Sequence, residues 1–171
     1  MLGVALFAAY MKGRGPVEDF GLRVKLGDAV GFVIGVVTQY AALLVYLPFL
    51  WLDLTSSDEV SKPARDLTDK AHTATSVVLL VLLVVIVAPI VEEIFFRGLL
   101  MRSIDRRYGR RWAILGSSAI FAAAHLEPLQ FPALFIFGLV AAVLATRSGR
   151  LGPGMAAHIA FNAVAVATLL H

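Results

Sequence analysis

The chain of 171 residues has no cysteine, which excludes disulfides, thiolate nucleophiles and cysteine-held metals. Charge is scarce. Asp, Glu, Lys and Arg make up 16% of the residues, against roughly a quarter in soluble domains. Hydrophobic residues reach 59% and mean hydropathy is +0.83, a composition that belongs in a bilayer. The His-Glu-x-x-His helix of the zincins is missing, and no internal repeat or low-complexity tract is visible. The length allows one structural domain. Any metal would need His and carboxylate ligands.

Long apolar runs supply what charge does not. Residues 29–52 and 74–100 are each long enough to cross a membrane. Three shorter helices are expected over 112–126, 131–146 and 153–170, with Pro153 suited to a first helical turn. Residues 53–71 are polar and read as a loop holding a short amphipathic helix on the surface. Residues 1–11 are apolar but about half the length of a span. They read as the tail of a truncated crossing helix or as an interfacial helix. Residues 12–25, 102–111 and 147–150 are basic, the second with five arginines, whereas the loops between them are acidic or neutral. That alternation predicts cytoplasmic basic loops at every turn and does not call for nucleic acid as a partner.

Glu92 and Glu93 break the longest apolar run, since residues 77–91 carry no charge. Ionisable groups at bilayer depth cost a few kcal/mol each even on lenient scales, which marks them as functional. At about 1.5 Å per residue, Glu92 lies ~15 Å, His125 ~20 Å and His158 ~8 Å from the basic loops. These depths predict convergence in the middle and inner half of the membrane. Glu93 and Arg97 stand at i and i+4 and can pair, while Glu92 is rotated about 100° away and left free. Phe121 and His125 share the i, i+4 relation, as do His158 and Asn162. Each pair alone suits core packing or interhelical hydrogen bonding. Together, a free carboxylate, two imidazoles and an amide are the parts that activate water and stabilise an oxyanion. His72, His171 and Glu127 are assigned no chemistry.

Glu92-Glu93-x-x-x-Arg97, Phe121-x-x-x-His125 and His158-x-x-x-Asn162, in that order and each in its own helix, resemble the motifs of the CPBP intramembrane proteases. That family includes type II CAAX prenyl endopeptidases and bacteriocin-processing or self-immunity proteins. The resemblance spans about residues 74–170, so 74–171 is the expected catalytic core and 1–73 an N-terminal membrane segment. It implies an all-α transmembrane bundle with an intramembrane site opening toward the cytoplasm. It implies catalytic roles for Glu92, Glu93, His125, His158 and Asn162. Glu92 would activate a water held by His125, Glu93 would pair with Arg97, and His158 with Asn162 would stabilise the oxyanion or complete a metal site. Zinc held by Glu92, His125 and His158 and a metal-free glutamate mechanism are both compatible with these residues. The implied substrate is a peptide or protein, membrane-anchored or prenylated. Family members usually have more membrane helices, so the chain reads as a compact or truncated member. A transporter or proton relay, or an immunity or scaffold protein, would use the same buried groups and stays open as an alternative.

Overall fold

The computed structural model describes residues 15–52, 55–69 and 73–169; residues 1–14, His72 and His171 lie outside them. The described residues are helical, without strands. A short helix α1 (Pro16–Phe20) and a 3₁₀ turn (Leu26–Ala29) lead into α2 (Val30–Leu44). Then come α3 (Leu47–Trp51), α4 (Ser57–Thr68), the long α5 (Ala74–Tyr108), α6 (Arg110–Ala124), α7 (Phe131–Ser148) and α8 (Gly152–Leu169). Three helical stretches, Leu26–Leu44, Ala74–Tyr108 and Phe131–Ser148, are long and apolar enough to cross a membrane.

Local sequence explains the boundaries. The expected uninterrupted span over 29–52 stops at Leu44. Pro48 causes the break, because its ring collides with the carbonyl four residues back and it has no N–H to offer. Helix α4 starts at a capping box, with Glu59 N donating to Ser56 Oγ at 3.1 Å and Ser56 N donating to Glu59 Oε2 at 3.0 Å. The Ser56 N–H first, and then the Thr55 hydroxyl that donates to the same oxygen at 3.1 Å, hold the Glu59 carboxyl below its usual range.

Helix α5 is not uniformly α. Residues Leu82–Val87 and Ile94–Met101 are π-helical, and the α-helical Ala88–Glu93 lies between them. Pro89 gives a reason for the first widening: the looser turn moves carbonyls away from its ring.

Packing follows small residues. Helix α8 lies along α2, and α7 along α6. On α2, a Cβ at Gly31 would strike the Pro153 carbonyl and one at Gly35 the Ala157 carbonyl. Gly31-x-x-x-Gly35 thus lets two backbones touch, the usual small-residue device of membrane bundles. The core gathers Phe96, Phe121, Phe137 and Phe161. Large apolar side chains such as Phe32, Val37, Leu79 and Leu83 remain exposed along α2 and α5. Hydrocarbon is the natural cover for such faces. Trp51 at one end of the bundle and Trp112 at the other are exposed, as expected of interfacial anchors.

Candidate active site

Helices α5, α6 and α8 bring the expected residues together in two tiers. The buried tier is built on Glu93 and Arg97, both 0% exposed. Arg97 Nη1 lies 3.0 Å from Glu93 Oε1, an ion pair whose N–H direction leaves Nη1 without an aligned hydrogen bond. Arg97 Nη2 donates to the Gly138 carbonyl at 3.2 Å, and its guanidinium carbon sits 4.5 Å from the Phe121 ring centre, a cation–π contact. The Glu93–Arg97 pairing read from the spacing is therefore present, although it crosses into π-helical backbone. Glycine makes room for it. A Cβ at Gly154 would come within 2.9 Å of Glu93 Oε2, and one at Gly138 within 3.0 Å of the Ser118 side chain.

His158, 2% exposed, joins the two carboxylates. Its Nδ1 is 3.1 Å from Glu93 Oε1 and its Nε2 is 3.6 Å from Glu92 Oε2. A carboxylate paired to arginine accepts, so Nδ1 carries a proton, and Nε2 faces Glu92. A separation of 3.6 Å exceeds a direct hydrogen bond and suits a bridging water. The expectation that His158 faces an oxyanion beside Asn162 is not met: both its nitrogens lie against glutamates.

The second tier faces a cavity of about 660 Å³. Glu92, with 29% of its side chain exposed, His125 and Asn162 all line it. His125 is the C-cap of α6. Its own N–H turns to Ala122, leaving the Phe121 carbonyl open at the helix end. His125 Nδ1 lies 2.9 Å from that oxygen. A carbonyl can only accept, so Nδ1–H donates and Nε2 is free for the cavity. Asn162 Nδ2 donates to the Val84 carbonyl at 2.8 Å. The register explains this bond: Ala88 N reaches back five residues to Leu83, and the next donor in that register is Pro89, which has none. The asparagine fills the place of the missing proline N–H, and its second N–H remains.

Phe121 is the spacer of the site. It is 0% exposed, with its ring centre 4.8 Å from that of His125 and 5.6 Å from that of His158. The imidazoles thus flank a phenyl ring instead of converging on a point. Among the described residues no three His, Asp or Glu side chains are grouped to hold a metal ion. The zinc set drawn from Glu92, His125 and His158 does not fit this arrangement.

Several participants were not picked out from sequence. Gly138 and Gly154 show only through the third dimension. Helix α4 was expected on the surface, yet its Val60, Ser61 and Asp66 form one wall of the cavity. Gln130 Nε2 donates to the Val60 carbonyl at 3.3 Å and Tyr46 Oη to the Leu129 carbonyl at 2.8 Å, tying the rim together. Glu127, given no chemistry, also lines the cavity, and the adjacent Pro128 was its one signal. The rim is at the opposite end of the bundle from the basic segments. The cavity therefore opens at the end away from the basic segments, where an opening toward the basic loops was expected. His125 decides this, because it closes the helix that starts at Arg110 in the basic connection.

The family model described as type II CAAX prenyl endopeptidase Rce1-like matches residues 74–164, more than half of the chain and all three motif pairs. No curated protein and no solved structure matches.

Proposed function

Because the chain belongs to the type II CAAX prenyl endopeptidase Rce1-like family of intramembrane proteases, we propose that it is an endopeptidase hydrolysing a peptide bond in its cavity, with Glu92 as general base. The observation that carries this reading is the partition of the two carboxylates. Glu93 is buried against Arg97, while Glu92 borders the cavity beside His125 and Asn162.

A water accepts direction from His125 Nε2, to which it donates one hydrogen. Glu92 takes its other proton as the oxygen bonds to the peptide carbonyl carbon. The free N–H of Asn162 stabilises the oxyanion that develops. Collapse of the tetrahedral intermediate breaks the C–N bond, and Glu92 returns the proton to the leaving amine. His158 is a positioning residue: held by Glu93, which Arg97 pairs, it keeps Nε2 beside Glu92. The apolar lining, including Leu80, Val84, Leu134 and Phe161, suits an apolar side chain or lipid anchor next to the scissile bond. Conduction is less well supported, since the line from Glu92 through His158 and Glu93 ends at the fully buried Arg97.

The test compares new protein termini in cells carrying the wild-type chain, Glu92→Ala or His125→Ala. Termini that vanish with both variants support the assignment. An unchanged set removes it.

A further inference from the structure

A peptide in an apolar cavity at membrane depth brings backbone N–H and C=O groups that have lost their water and need partners. The cavity wall offers few. Tyr46, Ser61, Gln130, Asn162 and Thr168 line it, and each already donates to a backbone carbonyl. Gln39 on α2 lines it too, but its Oε1 is buried and meets no donor among the described residues. A polar side chain that serves as glue in a membrane bundle bonds to the next helix. Gln39 Oε1 makes no such bond.

Helix register sets Gln39 beside the chemistry. A Cβ at Gly31 would meet the Pro153 carbonyl and one at Gly35 that of Ala157, so α2 and α8 run side by side in the same direction. One further step of four residues puts Gln39 level with Phe161 and next to Asn162. Both of these line the cavity with it, as do the apolar Ala42, Leu43 and Ala165. In such a setting an unpaired amide is costly, and a hydrogen bond to a ligand counts for more than it would in water. Helix α2 precedes residues 74–164, which the family model matches, so Gln39 stands outside the motif pairs of the site.

We propose that the Gln39 carboxamide is a substrate-binding group, hydrogen-bonded to a backbone amide of the peptide next to the scissile one. This role rests on the peptidase reading. A carboxamide donates and accepts, as a peptide group does, and a half-turn about its last side-chain bond offers either edge to the cavity. Asn162 takes the oxygen of the bond being cut, and Gln39 holds the neighbouring peptide group. The backbone is then gripped at two points whatever side chains it carries.

The probe is a peptide spanning a terminus that depends on Glu92, made also in ester versions that replace one backbone N–H beside the scissile bond with oxygen. Wild type and Gln39→Met, each the full chain, are compared in proteoliposomes. Losing one backbone hydrogen bond should raise KM about 3–10-fold and change kcat less than about twofold. One ester should weaken wild-type binding by a similar factor and leave Gln39→Met unaffected. An unchanged KM, or an ester penalty that persists in full in Gln39→Met, would overturn the assignment. Unfolding needs no substrate. Gln39→Met should unfold at a temperature no lower than wild type, because methionine replaces a polar group without a partner. A fall of more than about 4 °C, as the loss of a bond between helices would give, would make Gln39 structural and overturn its role as well. Glu92→Gln cleaving at the wild-type rate would count against the peptidase reading alone. Cleavage lost with Glu92→Gln beside an unchanged KM for Gln39→Met would count against Gln39 alone.

Discussion

Replacing Arg97 with methionine removes the sole cation of the buried tier and leaves Glu93 facing His158 in a site with no solvent exposure. Breaking a fully buried pair from one side costs about 3–5 kcal/mol, because the remaining charge has no water to turn to. That is a large share of a typical stability of about 5–15 kcal/mol. Methionine keeps most of the volume and the contact with Phe121, so packing loss stays a minor part of the effect. Glu93→Gln in the same background removes the stranded charge. About 1–3 kcal/mol should return as a coupling between adjacent sites. Unfolding in mixed micelles, followed through the emission of Trp51 and Trp112, measures the double-mutant cycle. A loss below about 1 kcal/mol for Arg97→Met, or a double variant no more stable than the single, would refute a charge-locked buried tier.

Gly35→Ala should cost about 1–3 kcal/mol and separate α2 from α8, since its methyl meets the Ala157 carbonyl; disulfide trapping between cysteines placed on those helices reports the change. Asn162→Asp removes the donor to Val84 and sets an acceptor against that carbonyl. It should lower kcat far more than KM, and Asn162→Gln should restore little. Helix α4 should lose protection from amide exchange as pH falls below the ordinary carboxylate range. The Glu59 carboxyl is depressed by the Ser56 N–H and the Thr55 hydroxyl, so its contribution is complete above the unfolded pKa and is lost as pH drops through the lower folded one. Glu59→Gln should flatten that dependence.

The spans, the basic loops and the three residue pairs were legible in the sequence because each depends on short-range pattern: hydropathy, charge sign and i, i+4 spacing. Glu93 with Arg97 is the clearest case, since both partners lie on one helix. The approach of Glu92 to His158 follows from their shared depth and is present, but the second contact, of His158 with Glu93, was hidden, because no spacing within α8 reveals which nitrogen meets which carboxylate. The π-helical stretches around Pro89 and Arg97 were equally hidden. A proline signals a perturbed helix, but packing decides whether the chain kinks or widens. The side of opening was inferable in part. The estimate for His125 already put it far from the basic loops, and only grouping it with the shallower His158 drew the site inward. The break of α2 at Leu44 was missed, because hydropathy runs on through Pro48 to residue 52 and outweighed the proline.

The most direct measurement takes a peptide whose cleavage depends on the chain and determines kcat/KM for purified wild type and Glu92→Gln in proteoliposomes, with metal content recorded. Loss of a positioned general base removes about 10²–10⁴-fold in rate. The glutamate account predicts a fall of that size, unchanged unfolding stability and wild-type activity that survives chelation. Glu92→Gln cleaving at the wild-type rate would contradict it.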